Sequence, residues 1–124
     1  MEKSILPIHF EDRSGVEFER LAFAYICRLK DWESIEWLGQ TGDDGGRDIW
    51  AMRDNETFCY QCANYQKLTL RKVTDYIDKL IKGNTIPDNF IVICGGKATP
   101  DLRDKIIKYA NSKSIKRAAA WNGI

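Results

Sequence analysis

The sequence predicts an α/β fold, a mixed central sheet flanked by helices with its elements in the order αβββαβαβ. Three observations predict it. Apolar residues recur at helical spacing over 15–30, through Val16, Phe18, Leu21, Ala22, Tyr25, Ile26 and Leu29. Three strand-like segments then follow one another through short connections between 33 and 63, as in a meander. Finally, the unbroken apolar run Phe90-Ile91-Val92-Ile93 sits between two helical patterns, which is the signature of a strand covered on both faces.

Residues 1–13 show no periodicity and read as a lead-in. Ser14 is placed to cap the first helix, with Glu17 three positions on completing a capping box. Glu19 lies beside the apolar stripe, adjacent to Phe18, and so points either along the helix's buried edge or outward to Arg20 or Arg28. Over 33–38 Ile35 and Trp37 alternate with Ser34 and Glu36, as a half-buried strand requires. The glycine-rich stretch Gly39 to Gly46 leads into a second strand at 48–52, and Arg53-Asp54-Asn55-Glu56 turns the chain into a third at 57–63. Asp48 and Gln61 fall on neighbouring antiparallel strands, where a matching register sets their side chains on one face.

Thr69 caps the next helix, whose inner face is Val73, Tyr76, Ile77, Leu80 and Ile81, with Gly83 as its end and Pro87 beyond. Its outer face carries Arg71, Lys72, Lys79 and Lys82. Thr99-Pro100 opens the last helix in the favoured capping order, with Leu102, Ile106, Ile107, Tyr109 and Ala110 as its stripe, and 115–121 closes the chain as a strand. Repeats, low-complexity runs and linkers are absent, so the 124 residues read as one domain, 1–124.

Composition narrows the class. Apolar residues make up 44% and charged residues 30%, which suits a soluble globular chain and neither a disordered nor a fibrous one. No apolar run approaches the roughly 20 residues of a membrane-spanning helix, and Met1 to Phe10 does not resemble a secretory signal, so a cytoplasmic location is expected. In that compartment the four cysteines are expected to be free thiols. Cys59 and Cys62 have metal-like spacing, but on one strand side chains three apart point to opposite faces.

Charge is unevenly spread. Residues 1–62 hold seven Lys and Arg against thirteen Asp and Glu, a net of −6, while residues 63–124 hold twelve against five, a net of +7. Acidic groups around the glycine loop suit a cation, and a basic second half suits a polyanion such as nucleic acid. An ordinary solvated surface whose charges interleave after folding is the alternative.

The glycine loop is not a phosphate-cradling P-loop, because no Lys-Ser/Thr follows and the chain runs on into a strand. Hydrolase chemistry built on a Ser–His or Cys–His pair is disfavoured, since the one histidine is His9 in the lead-in. Metal-assisted chemistry needs no histidine. A hard cation such as Mg²⁺ takes carboxylate and carbonyl oxygens, which Asp48, Glu19, the Gln61 side chain and the Cys62 main-chain carbonyl offer.

Three stretches carry a family resemblance: Gly15-Val16-Glu17-Phe18-Glu19-Arg20-Leu21, Thr41-Gly42-Asp43-Asp44-Gly45-Gly46-Arg47-Asp48, and Tyr60-Gln61-Cys62-Ala63-Asn64-Tyr65. In order and spacing the chain resembles the Mrr-type restriction endonucleases of the PD-(D/E)xK nuclease superfamily. The resemblance implies a restriction-endonuclease-like fold that hydrolyses phosphodiester bonds of double-stranded DNA with Mg²⁺, or with Mn²⁺ in its place. It implies Asp48 as the metal-binding aspartate, Gln61 in the Glu/Gln position and Glu19 as the helix-borne acid. Arg71, Lys72, Lys79 and Lys82 become candidates for contacts to the DNA backbone. It also implies an effector domain of a larger bacterial defence protein, with a sensor or oligomerisation region that brings copies together.

One position departs from the pattern. The family's catalytic lysine falls two residues after the Glu/Gln, and Ala63 stands there. Alanine cannot orient an attacking water or offset charge on the phosphate, a loss on the order of 10²-fold or more in rate. The chain as written is therefore expected to be impaired as a nuclease. Either a lysine has been replaced, or the protein has lost it and keeps a binding or assembly role. Lys67 stands beyond the expected strand end.

Overall fold

The computed structural model describes residues 15–38, 49–63, 68–94 and 98–122. Its elements are α1 (Gly15–Cys27), β1 (Ser34–Trp37), β2 (Ile49–Arg53), β3 (Glu56–Ala63), α2 (Leu70–Lys82), β4 (Asn89–Cys94), α3 (Pro100–Ser112) and β5 (Arg117–Asn122). The five strands form one mixed sheet in the order β1-β2-β3-β4-β5. β1, β2 and β3 are antiparallel, joined from β2 to β3 through Asp54 and Asn55, both at positive φ. From β3 onward the pairing is parallel, and α2 and α3 provide the crossovers.

Two cores lie on the two faces of this sheet. On one side Phe18, Ala22 and Ile26 of α1 pack on Ile49, Tyr60, Ile91 and Ile93. On the other, Val73, Ile77 and Leu80 of α2 and Ile106 and Ala110 of α3 pack on Cys59, Ala63, Phe90, Val92 and Cys94. Alternation along β3 and β4 sends successive side chains to the two layers, so β4 is buried at all six positions.

The helices start as their sequences dictate. Thr69 Oγ1 accepts from the Lys72 N–H at 3.3 Å, and Thr99 Oγ1 accepts from the Leu102 N–H at 3.1 Å with Pro100 in the first turn. The Ser14 cap falls outside the described residues. The end of α1 differs from expectation. α1 stops at Cys27, because the Arg28 and Leu29 N–H groups bond to the Tyr25 and Ile26 carbonyls, three residues back, and tighten the last turn. Leu29 is thereby taken out of the helical stripe and is 36% exposed.

Gly83 closes α2 as its C-cap, as expected, though not in the left-handed region. Its φ is −85°, and the left-handed residue is Asn84, at φ 55°. The Asn84 N–H bonds to Ile81 O and the Thr85 N–H to Leu80 O, a Schellman motif. α3 ends identically, with Ser114 at φ 71° and the Ile115 N–H bonding to Ala110 O. On α3, Ile106 is buried but Ile107 is 38% exposed, since adjacent helical positions cannot share one narrow face.

Polar locks pin the starts of β3, β4 and β5. Asp88 Oδ2 accepts from the Thr57 N–H at 2.9 Å and from Thr57 Oγ1, which in turn accepts from the Asp88 N–H at 3.0 Å. Asn89 Nδ2 donates to Glu56 Oε1 and Thr57 O, while Arg117 donates from Nε to Asn89 Oδ1 at 2.7 Å and from Nη2 to Glu56 Oε2. The bonds from Arg117, then from Asn89, hold the Glu56 carboxyl below its usual range, and the Thr57 main-chain bond does the same for Asp88.

Two predictions follow from these termini and locks. Ser114→Gly removes a side chain from a left-handed position and is expected to raise stability by about 0.5–1 kcal/mol in urea unfolding. Since both carboxyl pKa values are depressed on folding, their contribution is complete above the unfolded value of about 4 and is lost as pH falls through the folded values. Thermal melts from pH 7 down to pH 3 are expected to show a shallower acid decline for Glu56→Gln with Asp88→Asn than for the unchanged chain.

Candidate functional site

β3 carries the central candidates. Ile49 pairs with Tyr60, and from there β2 and β3 stay in register down to the Arg53–Glu56 pair at the turn. Gln61 thus comes one residue after the last position of β3 that pairs with β2, and itself pairs with Val92 of β4, as Asp48 comes in sequence one residue before the first of β2. Asp48 itself, with Gly42 to Arg47, lies outside the described residues, as do Asn64, Tyr65 and Lys67.

Gln61 is 7% exposed and Ala63 1%. Both share a face with Cys59, the face covered by α2 and α3, because positions two apart on a strand point the same way. Cys62, between them, turns its side chain to the α1 layer and is half-buried. Cys59 and Cys62 accordingly stand in different layers. Ala63 brings only a methyl group to the core formed with Leu68, Val73 and Ala98.

Glu19 takes the inner of its two expected placements. It is half-buried on α1, and its Oε1 accepts from the Trp37 indole N–H at 3.0 Å. Trp37 stacks on Phe23 with centroids 5.5 Å apart and planes 28° apart, so α1 holds the indole on two sides. An indole N–H in a partly buried position needs an acceptor, which explains a carboxylate at the apolar edge of a helix. The alternation of β1 marked Trp37 as half-buried, but nothing local in the sequence linked it to a residue eighteen positions earlier.

Trp37 pairs with Ile49, which pairs with Tyr60, so Glu19 and Gln61 lie at the same end of the sheet. They approach it from different faces. The described donors for a hard cation are therefore one carboxylate already holding an indole, one amide oxygen in the opposite layer and a main-chain carbonyl. Among the described residues no three His, Cys, Asp or Glu side chains are grouped to hold a metal ion. These donors by themselves do not fit Mg²⁺, which requires a closely spaced oxygen shell.

Arg71, Lys72, Lys79 and Lys82 are all exposed on α2. Asp75 and Asp78 share that surface, leaving the helix with four basic and two acidic groups. Asp78 also accepts the Tyr109 hydroxyl of α3. The helix therefore presents a modest positive surface with its acids interleaved, and the charge imbalance between the halves of the sequence is not gathered into one basic stripe here.

Comparison with protein-family models, with curated proteins and with solved structures finds no match to the chain. No helix among the described residues is long and apolar enough to cross a membrane.

The Glu19–Trp37 bond can be isolated. A double-mutant cycle of Glu19→Ala with Trp37→Phe, which keeps the stack on Phe23, is expected to return a coupling of about 1 kcal/mol in denaturant unfolding.

Proposed function

We propose that this chain is a nuclease-fold domain that engages double-stranded DNA, with the end of β3 as its catalytic strand and with cleavage blocked by Ala63. The observation that carries the reading is the side-by-side placement of Gln61 and Ala63 on one face of β3, at the sheet end where Glu19 also lies. A glutamine followed two positions later by a lysine would present an amide oxygen and an ammonium to one phosphate, since positions two apart share a face. In this reading the fold is restriction-endonuclease-like and the substrate is a DNA phosphodiester.

Mg²⁺ enters the proposal as the cofactor that the resemblance implies, with Mn²⁺ as its substitute. Its anionic ligand would be Asp48, because the described donors do not suffice without it. Gln61 would orient through its amide, Glu19 would support the site from α1, and Arg71, Lys72, Lys79 and Lys82 would contact backbone phosphates through their exposed ammonium and guanidinium groups. As part of a larger bacterial defence protein, in the cytoplasm, such a domain would be activated when a sensor or oligomerising region assembles several copies.

A second reading, a DNA-binding or assembly module without catalysis, is favoured by one observation. Ala63 is 1% exposed and packed as a core residue, so the chain carries no ammonium at that position. The two readings part at a single substitution. Ala63→Lys is expected to raise plasmid cleavage in Mg²⁺ by at least about 10²-fold over the unchanged chain, and EDTA is expected to abolish it. If the lysine variant folds, retains DNA in a salt-sensitive gel shift and still does not cut, the binding module stands. If neither chain retains DNA at low salt, both readings fail.

A further inference from the structure

α1 covers its face of the sheet only in part. Where α1 ends, a cavity of about 320 Å³ opens over β3, β4 and β5, with Phe58, Tyr60, Ile91, Ala119 and Trp121 as its floor and walls and Lys30 and Arg117 at its margin. Two features of the sequence make the space. Chain turning at Arg28 and Leu29 ends α1 just beyond the Tyr25–Trp121 contact, and Ala119, the alanine of β5 that faces the α1 layer, puts a methyl group where a larger side chain would fill the hollow. The site is on the opposite face from Gln61 and Ala63 and is independent of the proposed nuclease chemistry.

Its lining is specific in three respects. Tyr60 and Trp121 form an aromatic corner, with ring centroids 5.6 Å apart and planes 55° apart, in which Trp121 is half-buried and keeps surface open to a flat ring while Tyr60 backs it. Tyr60 is 1% exposed, yet among the described residues its hydroxyl hydrogen-bonds to no group, so a polar O–H lines an otherwise apolar floor. Burial pushes the Tyr60 phenol up to about 12, which keeps it a donor at neutral pH.

The margin sets the charge. Arg117 is committed to Glu56 and Asn89, which balances it. Lys30 forms no ion pair among the described residues and is exposed at the mouth, so the cavity entrance carries one unbalanced positive charge. Among the described residues the other exposed large apolar side chains, Met52, Ile86 and Ile107, lie on β2, on the α2–β4 connection and on α3. The apolar feature is thus the concavity and not a broad surrounding patch, which favours a small molecule over a protein partner.

We propose that this cavity binds a planar heteroaromatic ring carrying one anionic group, a ligand of the size and kind of a nucleoside monophosphate. The ring would lie against Trp121 and accept from the Tyr60 hydroxyl, while the anion would pair with Lys30. The volume lies near the lower limit of ligand sites and accommodates a single nucleotide and not a strand.

The test uses the full chain, titrated with AMP, adenosine and inorganic phosphate and followed by tryptophan fluorescence and amide NMR. AMP is expected to saturate, with shifts centred on Phe58, Tyr60, Ile91, Ala119 and Trp121. Adenosine should bind about tenfold more weakly for want of the Lys30 pair, and phosphate alone should not saturate. Lys30→Ala should bring AMP and adenosine to equal affinity, and Ala119→Leu should abolish both. The proposal is overturned if AMP does not saturate at millimolar concentration, or if Lys30→Ala leaves the ratio unchanged. It is also overturned if shifts map to the Gln61 face, or if sedimentation shows a self-association that Ala119→Leu removes, which would make the hollow a contact between copies. Because Lys30 is a surface residue, its variant keeps the test decisive even where Ala119→Leu does not fold.

Discussion

The parallel pairing of β3 with β4 is the contact on which the rest of the molecule depends. Six residue pairs, from Phe58–Asn89 to Ala63–Cys94, join a short antiparallel meander to a parallel βαβαβ half. Both strands bury side chains on both faces, so each contributes to the α1 core and to the α2–α3 core at once. Parallel pairing demands a crossover, and α2 can serve only because Val73, Ile77 and Leu80 give it a face that matches the sheet. Loss of that match would separate the two halves and not merely loosen one helix.

The two ends of the sheet differ in how their polar groups are used. At the start of β3, β4 and β5 every polar side chain in the Glu56, Thr57, Asp88, Asn89 and Arg117 group serves another strand, which closes that end. The other end holds Gln61 and Ala63 on one face and the Glu19–Trp37 bond on the other, beside the loops that leave β3 and enter β2. One hollow, lined by Tyr60 and Trp121, therefore lies on one face of the sheet, while Gln61 and Ala63 on the other face are packed beneath α2 and α3.

Much of the fold was legible because its signals are local. Thr69 and Thr99-Pro100 mark helix starts through bonds to N–H groups three residues away, and a strand buried on both faces has to read as Phe90-Ile91-Val92-Ile93. The misplaced details were of another kind. Gly83 closes α2 as the sequence indicates, yet the left-handed residue of the Schellman motif is the next one, Asn84, because the bonds to Leu80 and Ile81 set the phase. Leu29 and Ile107 fit a helical stripe by spacing alone, but a stripe is buried only where a partner surface covers it.

The sequence by itself determined the order of elements, the strand parity that puts Gln61 and Ala63 on one face, and the absence of a lysine at position 63. Each follows from periodicity or identity, which act over a few residues. Only the tertiary structure decided that Glu19 serves Trp37, that Glu19 and Gln61 meet the same sheet end from opposite faces, and that Asp75 and Asp78 dilute the basic surface of α2. It alone revealed the hollow beside Tyr60 and Trp121. These depend on contacts between residues far apart in the chain, which no spacing rule encodes, because they arise from where helices stop over a sheet and not from how either is written.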